Sequence, residues 1–424
     1  MLKHFFRYGL VSLLVLSSTL YAAEWYRGNM HTHSRWSDGN VFPEQAVDWY
    51  KENGYHFLVL SDHTNLQLEP QKWVDVGTDP HWMAIYEKYV EKYGQSETRE
   101  VDGKKQVRLP SIHELKKKFD VPGRFLMIPG HEMNSTANGV TLHGIAVNVT
   151  ETIPFQAVGE TLAESIDNNA LAVKKNGDVH GHTSLFMLNH PIWPYYDIDP
   201  ISMSDAKETR LYEFLCAGGN VSSGYDVSPR FWNRESLWDI TTAFRIIKGY
   251  PLIYGAGTDD THNYTNILPV NDCNPGMAWV AVRAEKLEPD AITRALLQGD
   301  FYTSTGVEMD DIAFNKVTGT LSVRVKPVSG VKYQIQFIGT KKDYDQTSVP
   351  FEVEKTDKNP ARKGWTFSND IGIVLSAVDG VEASYRLRAD DLYVRAVIIS
   401  DQKKEFRGNL CPEVSTAWTQ PYCP

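Results

Sequence analysis

Two histidines near the start of the chain, His31 and His33, have the spacing of a metal-chelating pair. They follow residues 24–30, a segment that is predicted to be a strand. Residues two apart in a strand point to the same face, so both imidazoles can bind one divalent ion. Asp38 comes after a turn and can supply an oxygen ligand. A His-x-His pair is as often ordinary polar packing, so the inference depends on partners further along the chain.

Further histidines and carboxylates recur where predicted apolar strands end. Residues 56–60 precede His63, residues 125–128 precede Glu132, and residues 185–188 precede His190. Histidines scattered at random would not fall so regularly at strand ends, and this regularity is the main internal evidence for a metal centre. Asp260 and His262 follow residues 252–257, and His143 lies inside the predicted strand 140–147. The candidate metal ligands are His31, His33, Asp38, His63, Glu132, His143, His190, Asp260 and His262.

Strands and helices alternate over this part of the chain. A helix predicted at residues 43–54 has Pro in its first turn and Gly at its end, and with the flanking strands it forms a βαβ unit. Helices are also predicted at 160–175 and 289–298, and strands at 211–215 and 276–282. In a parallel α/β barrel the C-terminal strand ends meet on one face, where sites are built. The alternation therefore predicts an α/β barrel that gathers the ligands.

Two segments depart from this alternation. Residues 66–120 look helical or irregular, without a clear strand, and we expect an insertion with the position of a lid. Beyond about residue 310, apolar and polar residues alternate at 321–325, 333–337 and 392–397, which is typical of half-exposed antiparallel strands. We therefore expect a first domain over residues 23–308 and a small all-β, sandwich-like domain over 309–424.

Composition limits the partners. The chain has 424 residues with 42% hydrophobic and 23% charged, which is ordinary for a globular protein. Its formal net charge of −10 and its lack of a basic run argue against a long nucleic acid duplex as partner. A small anionic substrate stays compatible, because bound metal ions supply local positive charge.

Residues 1–22 have the pattern of a signal peptide. Lys3 and Arg7 form a basic start, residues 10–20 are apolar but too short to span a bilayer, and small residues follow. We expect an exported protein, periplasmic or secreted, with no membrane span in the mature chain; an uncleaved anchor is the alternative. In that compartment Cys411 and Cys423 could close a loop, although the sequence does not settle the pairing of the cysteines.

The ligand set resembles the polymerase-and-histidinol-phosphatase (PHP) superfamily of metal-dependent phosphoesterases over roughly residues 25–306. The matching motifs are His31-Thr32-His33, Ser37-Asp38-Gly39, Ser61-Asp62-His63, Gly130-His131-Glu132, His143, Asn189-His190-Pro191 and Asp260-Thr261-His262. The resemblance implies a distorted (β/α)7 barrel with two or three divalent transition metal ions, Mn, Fe or Zn. It implies a first metal on His31, His33, Glu132 and Asp260, a second on Glu132, His143 and His190, and a third on Asp38, His63 and His262.

A second resemblance concerns an exported branch of that superfamily. Residues 299–306 and 417–421 are similar to carbaryl-hydrolase-like metallohydrolases, which also carry a C-terminal β domain. The chain departs from the family pattern at His131, where an apolar residue is common, and at His180 and His182, which have no counterpart. Asp259 stands beside Asp260, and we choose Asp260 because Asp-x-His repeats the spacing of the first motif. His81 and His113 lie among charged residues and are predicted to be solvated.

The implied chemistry is hydrolysis. Metals bridged by Glu132 would lower the pKa of a shared water, and the hydroxide would attack phosphorus in line. Arg35 is the nearest candidate for clamping a phosphate, and His262 or His63 could assist the leaving group. Asn65, Asn134 and Asn189 are candidate hydrogen-bond donors to the substrate, or turn residues.

Two other functions stay open. The same centre could hydrolyse a carboxylic or carbamate ester, because a Lewis acid polarises a carbonyl group as well. The protein could also be a non-catalytic binder, which an incomplete ligand set would favour.

Overall fold

The structure, a computed structural model, describes residues 23–424 except 69–71, 78, 194–195, 197, 217–232, 266–272, 356–360 and 407–408. The predicted signal peptide therefore lies outside the described residues. So does the side chain of Cys411, and its pairing with Cys423 stays a prediction. None of the helices described is both long enough and apolar enough to cross a membrane.

The described elements follow the predicted alternation of strands and helices closely. The helices are α1 (Pro43–Glu52), α2 (Pro80–Tyr93), α3 (Ile112–Phe119), α4 (Leu162–His180), α5 (Pro200–Asp205), α6 (Arg234–Ile247) and α7 (Pro289–Gln298). The strands before residue 305 are β1 (Glu24–Asn29), β2 (Phe57–Leu58), β3 (Trp73–Asp75), β4 (Thr98–Val101), β5 (Lys104–Arg108), β6 (Leu126–Met127), β7 (Gly130–Ala137), β8 (Val140–Val147), β9 (Leu185–Leu188), β10 (Leu211–Cys216), β11 (Tyr254–Thr258), β12 (Trp279–Ala284) and β13 (Phe301–Ser304).

The strands that position the candidate ligands belong to two sheets. One contains the order β12-β1-β2-β6, and the other has the order β11-β10-β9-β8-β7. Single bridges join the sheets where ligands lie, between Thr32 and Thr261 and between His63 and Glu132. The mixed α/β class is as predicted. The described strands do not close into one continuous barrel.

Strand direction also differs from the predicted parallel arrangement. β7, β8 and β9 pair antiparallel, and β12 pairs antiparallel with β1. The reason at β7–β8 is a two-residue turn, in which Asn138 and Gly139 have φ values of 51° and 75°. Asn-Gly with positive φ at both positions forms the tight turn of a hairpin, which requires antiparallel strands.

The insertion at residues 66–120 contains strands, so the prediction that it lacks them was wrong. β3, β5 and β4 form an antiparallel sheet beside α2 and α3. The turn between β4 and β5 is again a two-residue hairpin, with φ values of 52° at Asp102 and 73° at Gly103. Asp-Gly is a strong hairpin sequence, and it went unnoticed among the surrounding charged residues.

The last part of the chain is all strand and turn within the described residues. Its strands are β14 (Met309–Asn315), β15 (Thr320–Val325), β16 (Tyr333–Lys341), β17 (Val349–Val353), β18 (Arg362–Thr366), β19 (Ile373–Asp379), β20 (Glu382–Arg386), β21 (Asp391–Phe406) and β22 (Asn409–Thr419). The sheet β14-β15-β20 packs on β16 and β21 through a core that includes Leu321, Phe337 and Ile398. This is a sandwich-like arrangement.

One sheet runs through both parts of the chain. Its order is β19-β16-β21-β22-β13-β12-β1-β2-β6, and β13 pairs with β22 between Tyr302 and Thr419. Backbone hydrogen bonds in this sheet join a strand before residue 308 to a strand after it. The predicted domain boundary at residues 308/309 therefore stays a prediction.

Candidate metal centre

The nine candidate ligands come from separate strand ends and meet in one cluster. His31 and His33 follow β1, His63 follows β2, His190 follows β9, and Asp260 and His262 follow β11. Glu132 lies in β7 and His143 in β8, and Asp38 lies in the turn after His33. Burial deepens from the rim inward, since the Asp38 side chain is 54% exposed and His31 is fully buried.

Glu132 lies at the middle of the cluster with its two oxygens facing different histidines. Oε1 lies 3.0 Å from His143 Nδ1 and 3.5 Å from His190 Nε2. Oε2 lies 3.0 Å from His63 Nδ1 and 3.4 Å from both His31 Nε2 and His33 Nε2. A carboxylate placed this way can bridge two ions.

Asp260 closes the deep side of the cluster. Its Oδ1 lies 3.0 Å from His31 Nε2, 3.1 Å from His33 Nε2 and 3.5 Å from His262 Nδ1. With Glu132 and the His31–His33 pair, it surrounds the position that the family resemblance gives to the first metal. Asp259, its neighbour, is turned the other way and accepts hydrogen bonds from three successive backbone amides, those of residues 276–278.

Asp38 gathers the outer histidines. Its Oδ2 lies 3.2 Å from His262 Nε2 and 3.6 Å from His63 Nε2, and its Oδ1 lies 3.5 Å from His33 Nδ1. These four residues offer ligand atoms that all lie within 4.8 Å of one another. The group matches the expected third set, with His33 added.

The donor set fits divalent metal ions. His31 Nε2, His63 Nδ1 and Glu132 Oε2 are buried atoms without a hydrogen-bond partner, although each lies close to other ligand atoms. Burying such atoms unpaired is costly, whereas lone pairs that converge on a common point suit a cation. Imidazole and carboxylate ligands together favour Mn, Fe or Zn.

The charges of the cluster shift the pKa values of its members. Burial alone would lower the pKa of His31, but Asp260, Glu213 and Glu132 outweigh it and raise that pKa well above its usual value. Burial would raise the pKa of Glu132, yet the surrounding histidines lower it well below its usual value. For His33, burial dominates and lowers the pKa to about 4. Glu132 therefore stays ionised in the interior, where it is available as a ligand.

Two of the ligand residues have left-handed backbone conformations. The φ angle is 27° at His190 and 49° at Asp260. Such values cost energy for residues other than glycine and cluster at functional sites. Both residues follow short buried strands, and the unusual φ turns each side chain back into the cluster.

Glu213 contacts two of the candidate ligands, and the sequence analysis did not single it out. It is fully buried in β10, where its Oε1 lies 2.8 Å from His31 Nδ1 and also accepts from the Thr258 hydroxyl. Its Oε2 accepts from the His190 backbone amide at 2.7 Å. A carboxylate on Nδ1 fixes the imidazole with Nε2 free for a metal. The available clue was a lone charge inside an apolar strand.

Asp62 holds the loop that carries Asp38. It is fully buried and accepts hydrogen bonds from the backbone amides and the hydroxyls of Ser34 and Ser37. The side chain of Gln67 donates to it as well. These contacts fix the turn after His33, so that Asp38 returns to the cluster.

No protein-family model and no curated protein sequence matches the chain. Among solved structures, a two-domain protein from Bacteroides vulgatus that contains a predicted PHP-like metal-dependent phosphoesterase is 14% identical. Its TM-score is 0.39, and the match covers 86% of this chain and 96% of that chain.

Two further structures match a smaller part. A candidate metal-dependent phosphoesterase from Bifidobacterium adolescentis is 13% identical, with a TM-score of 0.29 and coverage of 58% of this chain and 92% of that one. An amidohydrolase from Chromobacterium violaceum with bound sulfate is 12% identical, with a TM-score of 0.28 and coverage of 58% and 93%. The structural neighbours thus include one protein described as containing a predicted PHP-like metal-dependent phosphoesterase and one described as a metal-dependent phosphoesterase. The identities and TM-scores are too low to carry a function to this chain.

The other candidate site residues have protein partners or lie buried at the edge of the cluster. The Arg35 guanidinium lies on the Trp82 ring, 3.7 Å from its centroid, and donates to the Asp75 carbonyl. Asn189 donates to Glu132 Oε1 at 2.8 Å, and Asn65 accepts from a backbone amide in a turn. Asn134 has a buried Oδ1 without a partner.

The other histidines that the structure describes lie outside the cluster. His131 is buried, and its ring contacts the backbone of Ile153, 3.2 Å from Nε2. His182 contacts the Asn148 carbonyl and His180 contacts the Asn176 carbonyl, both in structural positions. His81 and His113 are exposed, as expected for solvated residues.

Proposed function

We propose that this protein is an exported metal-dependent hydrolase of the PHP superfamily, and that its substrate is a small phosphate ester. The observation that supports this best is Glu132, whose two oxygens face two separate groups of imidazoles. When bound, divalent metals in such a centre lower the pKa of a water and neutralise charge on the ester oxygens.

The protein residues have distinct roles in this proposal. His31, His33, Glu132 and Asp260 hold the first metal; Glu132, His143 and His190 hold the second; and Asp38, His63 and His262 hold the third. Glu213 and Asn189 orient His31 and Glu132. His262 and His63 lie at the outer edge of the cluster, 28% and 26% exposed, where either ring is open to a leaving group.

A carboxylic or carbamate ester is the second candidate substrate, and one observation favours it. Within the described residues, no lysine or arginine pairs with Glu132, Asp260 or Asp38, and Arg35 is held by the insertion. A phosphate clamp by Arg35 would require its guanidinium to leave the Trp82 ring.

One assay separates these candidates. Purified protein loaded with Mn, Fe or Zn is tested on a phosphomonoester, a phosphodiester and an aryl carboxylic ester, with bound metal quantified. We expect turnover of a phosphate ester that Arg35→Ala weakens. Turnover of the carboxylic ester alone, unaffected by Arg35→Ala, would favour the second candidate. A protein that binds no metal and turns over none of the three would refute both.

Export has its own test. The mature protein isolated from the producing cells should begin close to residue 23, and N-terminal sequencing would show this. A chain that keeps residues 1–22 and stays inside the cell would contradict the signal peptide.

A further inference from the structure

Aromatic rings after β9 cover one side of the metal centre. The Tyr196 ring lies 4.2 Å from the His190 ring and 4.8 Å from the His143 ring, measured between centroids. These are the two histidines beside Glu132 Oε1. Trp193 stacks on His190 at 4.7 Å, and its carbonyl accepts a hydrogen bond from the Tyr196 amide. The phenol ring of Tyr196 therefore covers the side of the cluster that contains His143 and His190.

The hydroxyl of Tyr196 is available to a ligand. Within the described part of the chain it has no hydrogen-bond partner, and the residue is only half-buried. A phenolic hydroxyl carries one proton that it can donate towards an oxygen placed at the centre.

A residue of the C-terminal strands donates a hydrogen bond to the backbone of Tyr196. Arg362, the first residue of β18, donates from Nη1 to the Tyr196 carbonyl at 3.3 Å. Directly after the same strand, Phe367 packs edge-on against Phe244 of α6, with centroids 5.6 Å apart. The hairpin β17–β18 is thereby fixed on the first domain, and Arg362 connects it to the loop after β9.

We propose that Tyr196 is a substrate-binding residue of this centre, which donates a hydrogen bond to a substrate oxygen on the His143–His190 side, and that Arg362 positions it. The proposal rests on the hydrolase function proposed above. Negative charge builds on the ester oxygens during hydrolysis, and a fixed donor aimed there stabilises the transition state. The C-terminal domain would then contribute to catalysis through Arg362.

The variant Tyr196→Phe tests the hydroxyl, because it keeps the ring against both histidines. In the full-length protein loaded with Mn, we expect kcat to fall roughly 30-fold, as expected for the loss of one hydrogen bond to a charged oxygen. Metal content should change little. Inorganic phosphate, titrated by calorimetry, should bind roughly 10-fold more weakly. Tyr250→Phe is the matched control, since Tyr250 precedes the start of β11, at the end opposite Asp260.

The outcomes distinguish this proposal from the function it rests on. A wild-type protein without metal or activity would refute the hydrolase proposal itself. An active wild type with a Tyr196→Phe variant of equal kcat and equal phosphate affinity would refute only the role of Tyr196.

Arg362 is tested by hydrogen exchange as well as by activity. Arg362→Ala should speed exchange of the hydrogen-bonded amides of Trp193, Tyr196 and Ile198 and lower kcat, and Arg362→Lys should restore part of both. Lys363→Ala is the matched control, because Lys363 is exposed on the opposite face of the same strand. Unchanged exchange and kcat in Arg362→Ala would overturn the positioning role.

Discussion

Glu132 and Glu213 are both buried glutamates beside His31, and they differ in what their oxygens contact. Glu132 Oε2 lies beside His31 Nε2 and His63 Nδ1, and none of these three atoms has a hydrogen-bond partner. Glu213 instead accepts from His31 Nδ1, from a hydroxyl and from a backbone amide. The first environment suits a metal ligand. The second suits a residue that orients a ligand, because the oxygens of Glu213 already have hydrogen-bond donors and need no cation.

We predict that Glu213→Gln weakens metal binding without abolishing it. Loss of the charge on His31 Nδ1 should lower the affinity of the first metal roughly 10- to 100-fold, as for other orienting carboxylates. Competition with a chelating dye measures this, and thermal melting checks that the variant folds. Glu208→Gln is the control, because Glu208 is exposed near the other end of β10. Equal affinities in Glu213→Gln and wild type would contradict the orienting role.

Most of the nine candidate ligands could be proposed from the sequence because they stand in a local pattern, a His-x-His pair or an acid or histidine after an apolar run. His143, inside a predicted strand, and Asp38, after a turn, were added by the family resemblance and by proximity in sequence. Glu213 was not predictable in the same way. Its partner His31 lies 182 residues away in the chain, and only the folded arrangement brings the two together. The same holds for Tyr196, because the role proposed for its hydroxyl depends on the contacts of its ring with His143 and His190 in the folded protein.

Among the elements, the hairpins show where pattern analysis was incomplete. Asn138-Gly139 and Asp102-Gly103 each form a two-residue turn with positive φ, and each sets an antiparallel pair that the predicted topology lacked. Apolar runs located the strands well. Their direction follows from turn chemistry, which a search for buried parallel strands overlooks.

The start of α3 in the insertion gives a pH-dependent prediction. Glu114 forms a capping box with Ser111, and the hydrogen bond from Arg108 lowers the pKa of Glu114 to about 2. A lowered pKa means that the ionised carboxylate stabilises the fold above its usual pKa of 4.5, and that this contribution is lost as pH falls towards 2. Because Glu114 is half-exposed, the contribution is about 0.5–1 kcal/mol.

Thermal melting from pH 7 to pH 3 checks this. Glu114→Gln should be less stable than wild type at pH 7, and the difference should shrink at pH 3. Glu87→Gln, an exposed position of α2, should match wild type throughout. A Glu114→Gln deficit that stays constant down to pH 3 would exclude the charge of Glu114 as its source.

For the whole molecule, a buried ion pair joins the C-terminal strands to α6, in addition to the sheet that both parts of the chain share. Arg395 of β21 donates to Asp239 of α6 through Nε at 2.8 Å and Nη2 at 2.6 Å, and both side chains are almost fully buried. Tyr393 donates to the same carboxylate at 2.7 Å. The sequence predicted a second domain, but a pair separated by 156 residues in the chain leaves no local pattern.

We predict that Arg395→Met destabilises the protein by about 3–5 kcal/mol, because it leaves the Asp239 carboxylate buried without its cation. Urea unfolding measures the change in the free energy of unfolding. The double variant Asp239→Leu/Arg395→Met should recover most of that loss, since removing both charges avoids the unpaired one. A loss below 1 kcal/mol in the single variant would show that the pair does not join the domains.

Anomalous X-ray diffraction from crystals grown with Mn tests whether Glu132 bridges metal ions that the surrounding histidines hold. We predict Mn peaks on both sides of the Glu132 carboxylate, one beside His31, His33 and Asp260 and one beside His143 and His190. In Glu132→Gln at least one of these peaks should disappear. Crystals without a peak in the cluster, or with the same peaks in wild type and variant, would contradict the bridging role of Glu132.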